Sequence, residues 1–268
     1  MSRVAKLNWK VIVAATTVLI SACSTSPTGR SQLTLFPDAQ LDASGEQAFE
    51  AMKMDQVVST ALQPNRYVRC ISNALIQALP APYNTKDWEV VIFDAEQINA
   101  FALPGEKIGV YKGLIQVANN QHQLAAVIGH EIGHVIAKHG NERMSQSSAV
   151  GIGQELLGQI LAANNISGSQ EIMGYLGVGA QVGVILPFSR AHESEADLLG
   201  LEYMAKAGFD PREAVKLWQN MKAAADGSRQ PELLSTHPSP NTRISDLNSH
   251  MAKHLAVYQQ QVSRPACE

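Results

Sequence analysis

The chain is short of aromatics, of charge and of cysteine. Aromatic residues make up 6% and charged residues 17% of its 268 positions. A core must therefore be built from aliphatic side chains and alanine. The 45% hydrophobic content is too high for a disordered chain, which would be rich in charge and poor in apolar residues. Glycine at 19 and proline at 12 exclude a collagen-like or proline-rich polymer. The net charge is −3, with no Lys/Arg-rich run, which argues against a grip on nucleic acid. Three cysteines cannot make a disulfide framework, and no CxxC pair suggests a zinc ribbon. The length allows one large domain or two small ones.

What is present begins with an address. Residues 1–10 are polar and cationic, and residues 11–22 (VIVAATTVLISA) are an apolar run of 12. At about 1.5 Å per residue this run is too short for a bilayer core of about 30 Å. A cationic start, a short apolar stretch and small residues before a cut describe a secretory signal over residues 1–22. The following Ile20-Ser21-Ala22-Cys23 resembles the lipobox of bacterial lipoproteins, with Cys23 as the lipidated residue. The alternative is an ordinary signal peptide with Cys23 incidental. By the same resemblance, Ser24 rather than Asp after the cysteine implies an outer-membrane anchor facing the periplasm. Loss of the signal leaves 18 basic against 24 acidic residues. Cys70 and Cys267 then remain, and whether they pair is open.

Residues 23–40, rich in Ser, Thr, Pro and Gly, read as a lipidated start and tether, residues 41–258 as one domain and 259–268 as a tail. Val68, Ile71, Leu75 and Leu79 recur at helical spacing over 64–79. Residues 88–93 (WEVVIF), 98–103 and 108–111 read as strands. A helix is predicted from Asn120 to about His139. Asp210-Pro211-Arg212-Glu213 starts another, and Ser239-Pro240 the last. Between them, residues 149–187 hold eight glycines and two charges, and 172–188 hold no charge. They read as packed or groove-lining helices, the alternative being a surface that dips into a membrane or meets substrate. Helices, a small sheet, then more helices make the fold class α+β, mainly helical.

The chemistry lies in His130-Glu131-Ile132-Gly133-His134. Residues four apart on a helix project to one side, so both imidazoles can grip one ion. Glu131 sits on the rim, able to reach a water without ligating the metal. The apolar flanks Leu124, Val127, Ile128, Val135 and Ile136 predict a buried helix, where two unpartnered histidines would be costly. A catalytic zinc needs a third ligand. Glu193 and Asp197 are four apart on one helical face. One carboxylate can bind Zn²⁺ while the other holds a ligating imidazole from behind. Glu195 points about 200° away from Glu193 and is set aside. His139 falls about 180° round the helix from His130 and is read as structural or capping. His122 and His192 are not placed in the site.

These stretches resemble the gluzincins, and more narrowly peptidase family M48, which includes the CAAX prenyl proteases, HtpX, the Oma-type protease and BepA-like proteases. The resemblance rests on Asn99-Ala100-Phe101-Ala102 before Pro104-Gly105, on HEIGHVIAKHG, on ESEAD, and on His237-Pro238 with Arg243-Ile244, over about residues 30–250. It implies a zincin-type metalloprotease domain with the edge strand of a small sheet bordering the active-site cleft. It implies one Zn²⁺ on His130, His134 and Glu193, Glu131 as base, and Asp197 and Arg243 as supports. Asn99, Ala100 and Phe101 would meet an extended substrate. His237 would either occupy the open zinc position or donate to the oxyanion. The repeated spans of the prenyl proteases and the tetratricopeptide repeats of the BepA-like members have no counterpart here, so prenylated substrates and repeat-mediated docking are not carried over. The expected function is hydrolysis of unfolded or misassembled envelope polypeptides, with a membrane contact through the lipid. The rivals are a non-proteolytic zinc lipoprotein acting in assembly, and a zinc hydrolase of small substrates.

Overall fold

The structure, a computed structural model, describes residues 23–163, 173, 186–225, 231–237 and 240–267. The expected signal segment 1–22, residues 164–172 and 174–185 of the glycine-rich stretch, and Pro238 lie outside the described residues. The described residues divide into two compact units. One comprises residues 23–37, 140–163 and 173, the other residues 38–139 and 186–267. Among the described residues no helix is long and apolar enough to cross a membrane.

In the smaller unit, the segment read as a tether contains strands β1 (Cys23–Thr25) and β2 (Ser31–Leu33), paired antiparallel. Gly29, at φ 91°, supplies the left-handed turn residue between them.

The larger unit opens with helices α1 (Asp38–Asp55) and α2 (Leu62–Gln77). Strands β3 (Glu89–Phe93), β4 (Ala100–Leu103) and β5 (Lys107–Tyr111) follow, close to the three predicted runs. Their order is β3-β5-β4, with β3 parallel and β4 antiparallel to β5. Strand β4 is thus an edge. Helices α3 (Lys112–Val117) and α4 (Gln121–Ile136) come next, then α5 (His139–Ala163), whose first residue alone belongs to this unit. Helices α6 (Leu186–Lys206), α7 (Arg212–Ala225), the short α8 (Glu232–Thr236) and α9 (Pro240–Gln259) complete it. This is the mainly helical α+β arrangement that the element order implies.

The predicted stripe on α2 buries Val68, Ile71 and Leu75 completely. They join Val90, Ile92, Ile108 and Val110 of the sheet and Leu124, Ile128 and Ile132 of α4 in one aliphatic core. Trp88, Tyr203, Phe209 and Trp218 join that core, while Phe49, Phe93 and Tyr111 pack with Phe101 in a second, smaller cluster. A side-chain carbon on Gly109 would stand 2.2 Å from the Phe101 ring, so glycine is what lets that ring lie across β5.

The C-terminal tail is held against the domain. Cys267 is disulfide-bonded to Cys70, and Gln121 binds the tail twice, donating to Pro265 O and accepting from Cys267 N. The pairing was open in the sequence because it depends on a distance between residues 197 apart.

Within the smaller unit, Arg30 makes a two-pronged bond to the buried Glu142 of α5, at 2.7 and 2.6 Å. Ser145 accepts from Leu35 N, and Asn141 exchanges bonds with the Phe36 backbone. A buried carboxylate needs such a partner.

Candidate metal centre and active site

The site is built on α4 and α6. Asn120 caps α4, its Oδ1 accepting from His122 N and Gln123 N at 3.0 Å. Glu213 of α7 accepts from Asn120 and Gln123, tying that end of α4 to its neighbour. Farther along, α4 and α6 meet on small residues. A side-chain carbon on Gly200 would lie 3.0 Å from His130 N, and one on Gly133 would lie 3.0 Å from Ala196 O. The two backbones touch at this crossing, which carries the carboxylate of Glu193 to the histidine pair.

There the side chains converge. His130 Nε2 and His134 Nε2 are 3.0 Å apart, and Glu193 approaches them at 3.4 and 3.5 Å. His237 Nδ1 lies 2.9 Å from Glu193 Oε2 and 3.3 Å from His130 Nε2. One ligand atom from each of these four residues lies within 4.8 Å of all the others. Nitrogens on a tetrahedral zinc are about 3.3 Å apart, given bonds of 2.0–2.1 Å. Imidazole with carboxylate is a donor set that suits zinc. The residues present therefore fit a zinc ion, which His130, His134 and Glu193 would hold.

Both imidazoles are gripped from behind. Asp197 Oδ1 stands 3.0 Å from His130 Nδ1. Arg243 Nε donates to Asp197 Oδ2 at 2.7 Å, and its guanidinium lies 3.5 Å over the Trp218 ring. Burial and the Arg243 cation oppose a charge on His130, but its bonds to Asp197 and Glu193 prevail and push its pKa up to about 9. Burial, then the neighbouring His130, hold His134 well below the usual histidine range. Burial would raise the Asp197 carboxyl, yet Arg243 holds it below its ordinary value. Burial opposes ionisation of Glu193 too, and the hydrogen bonds to His130 and His237 outweigh it, so Glu193 is a carboxylate.

Glu131 is buried beside the cluster. Its Oε1 has no hydrogen-bond partner among the described residues and faces His237 Nε2 at 3.5 Å. A buried carboxylate oxygen without a partner calls for an explanation, and a catalytic role is one. Of the predicted substrate-contacting residues, Asn99 turns its Oδ1 onto Ala100 N, Ala100 is buried, and Phe101 joins the aromatic cluster. What this segment can offer a peptide is the backbone of edge strand β4, which packs beside α4.

Two residues set aside in the sequence lie at the site. His139 Nδ1 is 2.9 Å from His134 Nδ1, and His139 Nε2 is 3.1 Å from Glu195 Oε2. The angular reckoning failed because α4 stops at Ile136 and Lys138 takes φ 55° before α5 begins. The helix phase does not continue through that break. The short helix α8, whose C-cap is His237, had no periodicity to announce it.

Residues 62–251 match the model of peptidase family M48. The chain is 38% identical over 159 residues to the mitochondrial metalloendopeptidase OMA1 of Schizosaccharomyces pombe, covering 59% of this chain and 44% of that one. It is 34% identical over 160 residues to the β-barrel assembly-enhancing protease of Escherichia coli K12, covering 58% and 32%. It is 30% identical over 246 residues to the mitochondrial metalloendopeptidase OMA1 of Bos taurus, covering 86% and 46%. The chain thus spans about a third to a half of the length of these curated relatives.

Proposed function

The chain belongs to peptidase family M48, and from that premise we propose that it is a zinc-dependent metalloendopeptidase of the bacterial envelope that hydrolyses unfolded or misassembled polypeptides. The observation that carries the reading is the convergence of His130 Nε2, His134 Nε2 and the Glu193 carboxylate beside the unsatisfied Glu131. A zinc ion there supplies a Lewis acid and makes water easier to deprotonate. Glu131 takes the proton of the attacking water and returns it to the leaving amine. Asp197, braced by Arg243, keeps His130 in register. The free edge of β4 accepts an extended peptide as an added strand, which favours unfolded segments over folded ones.

The cellular setting rests on other residues. The cationic start, the apolar run and Ile20-Ser21-Ala22-Cys23 support lipidation at Cys23, with Ser24 favouring the outer membrane. The Cys70–Cys267 disulfide supports an oxidising compartment such as the periplasm. The name of the β-barrel assembly-enhancing relative supports substrates among envelope proteins.

A second reading has one observation behind it. His237 stands within the ligand group, where a fourth protein ligand would close the position that catalysis needs open. On that reading the protein is a zinc-binding assembly factor without hydrolytic activity.

Zinc analysis with casein cleavage tests the proposal, with and without a chelator, in wild type and in Glu131→Gln. The expected result is about one zinc per chain in both proteins, cleavage only by the wild type, and loss of cleavage with chelator. Equal cleavage by Glu131→Gln contradicts the assignment of the base, and an inert zinc-loaded wild type favours the assembly factor.

A further inference from the structure

The hydrolytic reading leaves two buried side chains behind His134 without a task. His139 and Glu195 are 1% and 4% exposed. We propose that they form a positioning relay, Glu195 to His139 to His134, that sets the tautomer and ring orientation of His134. The inference rests on the reading of His134 as a zinc ligand.

The geometry allows one order of donors. His134 Nε2 faces His130 and Glu193, so Nε2 is the nitrogen that would bind metal, and its Nδ1 must carry the hydrogen. That Nδ1 meets His139 Nδ1 at 2.9 Å, so His139 accepts there. A neutral imidazole that accepts at one nitrogen carries its hydrogen on the other. His139 Nε2 therefore donates, and at 3.1 Å it finds Glu195 Oε2. The carboxylate ends the chain, because ionised it only accepts. The ring of His139 is held flat against His192, with centroids 4.4 Å apart and planes at 22°.

The two imidazoles are thus supported in different ways. His130 meets its carboxylate directly in Asp197, whereas His134 meets Glu195 through an intervening ring. The break at Lys138 makes this possible by bringing His139 back toward the motif. Supports of this kind raise ligand basicity and fix ring direction, and their loss costs about 10–100-fold in metal affinity.

The test compares zinc dissociation constants, by chelator competition, with melting temperatures of the zinc-free proteins. His139→Leu should bind zinc about 10–100-fold more weakly than wild type. His139→Asn places an amide oxygen where Nδ1 stood and should recover most of that loss. Glu195→Gln should weaken zinc in the wild-type background and have no further effect beside His139→Asn, because the ring that couples them is gone. Wild-type affinity in folded His139→Leu overturns the relay. Equal loss in the Leu and Asn variants, tracking their melting temperatures, also overturns it by assigning His139 to packing. Should His139→Leu fail to fold, the Glu195→Gln and His139→Asn pair still decides, since additive losses contradict the relay. A wild type that binds no zinc removes the site reading itself, a result distinct from zinc-binding variants without a defect.

Discussion

Asp197 Oδ1 lies 3.0 Å from His130 Nδ1, on the side of the ring away from the nitrogen that faces Glu193. A carboxylate in that place fixes which nitrogen of His130 carries the hydrogen. Asp197→Asn keeps an acceptor but loses the charge that Arg243 pairs with. Zinc affinity should fall about 10–100-fold, measured by chelator competition. An unchanged constant would remove Asp197 from the support of the metal.

His237 is the second point of control. Its Nδ1 stands 2.9 Å from Glu193 Oε2, where it would compete with water for the fourth position of a four-coordinate zinc. His237→Ala should retain zinc and hydrolyse casein faster than wild type. An inert, zinc-loaded variant of an active wild type would instead make His237 the donor to the oxyanion.

The crossing of α4 and α6 depends on glycine. A side chain on Gly200 would press on the backbone of His130. Gly200→Val should destabilise the protein by about 1–3 kcal/mol through overpacking. It should also weaken zinc binding, because Glu193 sits on the displaced helix. Thermal melts with and without zinc measure both effects; a stable variant of normal affinity would show that the close approach is dispensable.

The disulfide closes a loop across residues 197 apart. Cys70→Ser should lower stability by about 2–5 kcal/mol, since the bridge restricts the unfolded chain. Denaturant titration gives the figure, and a midpoint equal to wild type would contradict it.

The sequence made the motif legible because one helix period governs it, so His130 and His134 could be placed on one face without any tertiary information. Glu193 and Asp197 were legible for the same reason, as a pair four apart on α6. Strands β3 and β5 showed through their β-branched residues, whereas β1 and β2 fall in the segment read as a tether. His139 was not legible, because a single left-handed residue, Lys138, resets the helix phase between the motif and His139, and Glu195 meets the site through His139. The Cys70–Cys267 bridge and the docking of the tail on Gln121 are contacts through space that no local pattern encodes.

The central claim is one metal ion between two imidazoles and a carboxylate. Anomalous diffraction at the zinc edge from crystals grown with stoichiometric zinc tests it most directly. The account predicts one peak at about 2.0–2.2 Å from His130 Nε2, His134 Nε2 and a Glu193 oxygen. A peak elsewhere, or none at that junction, would contradict it.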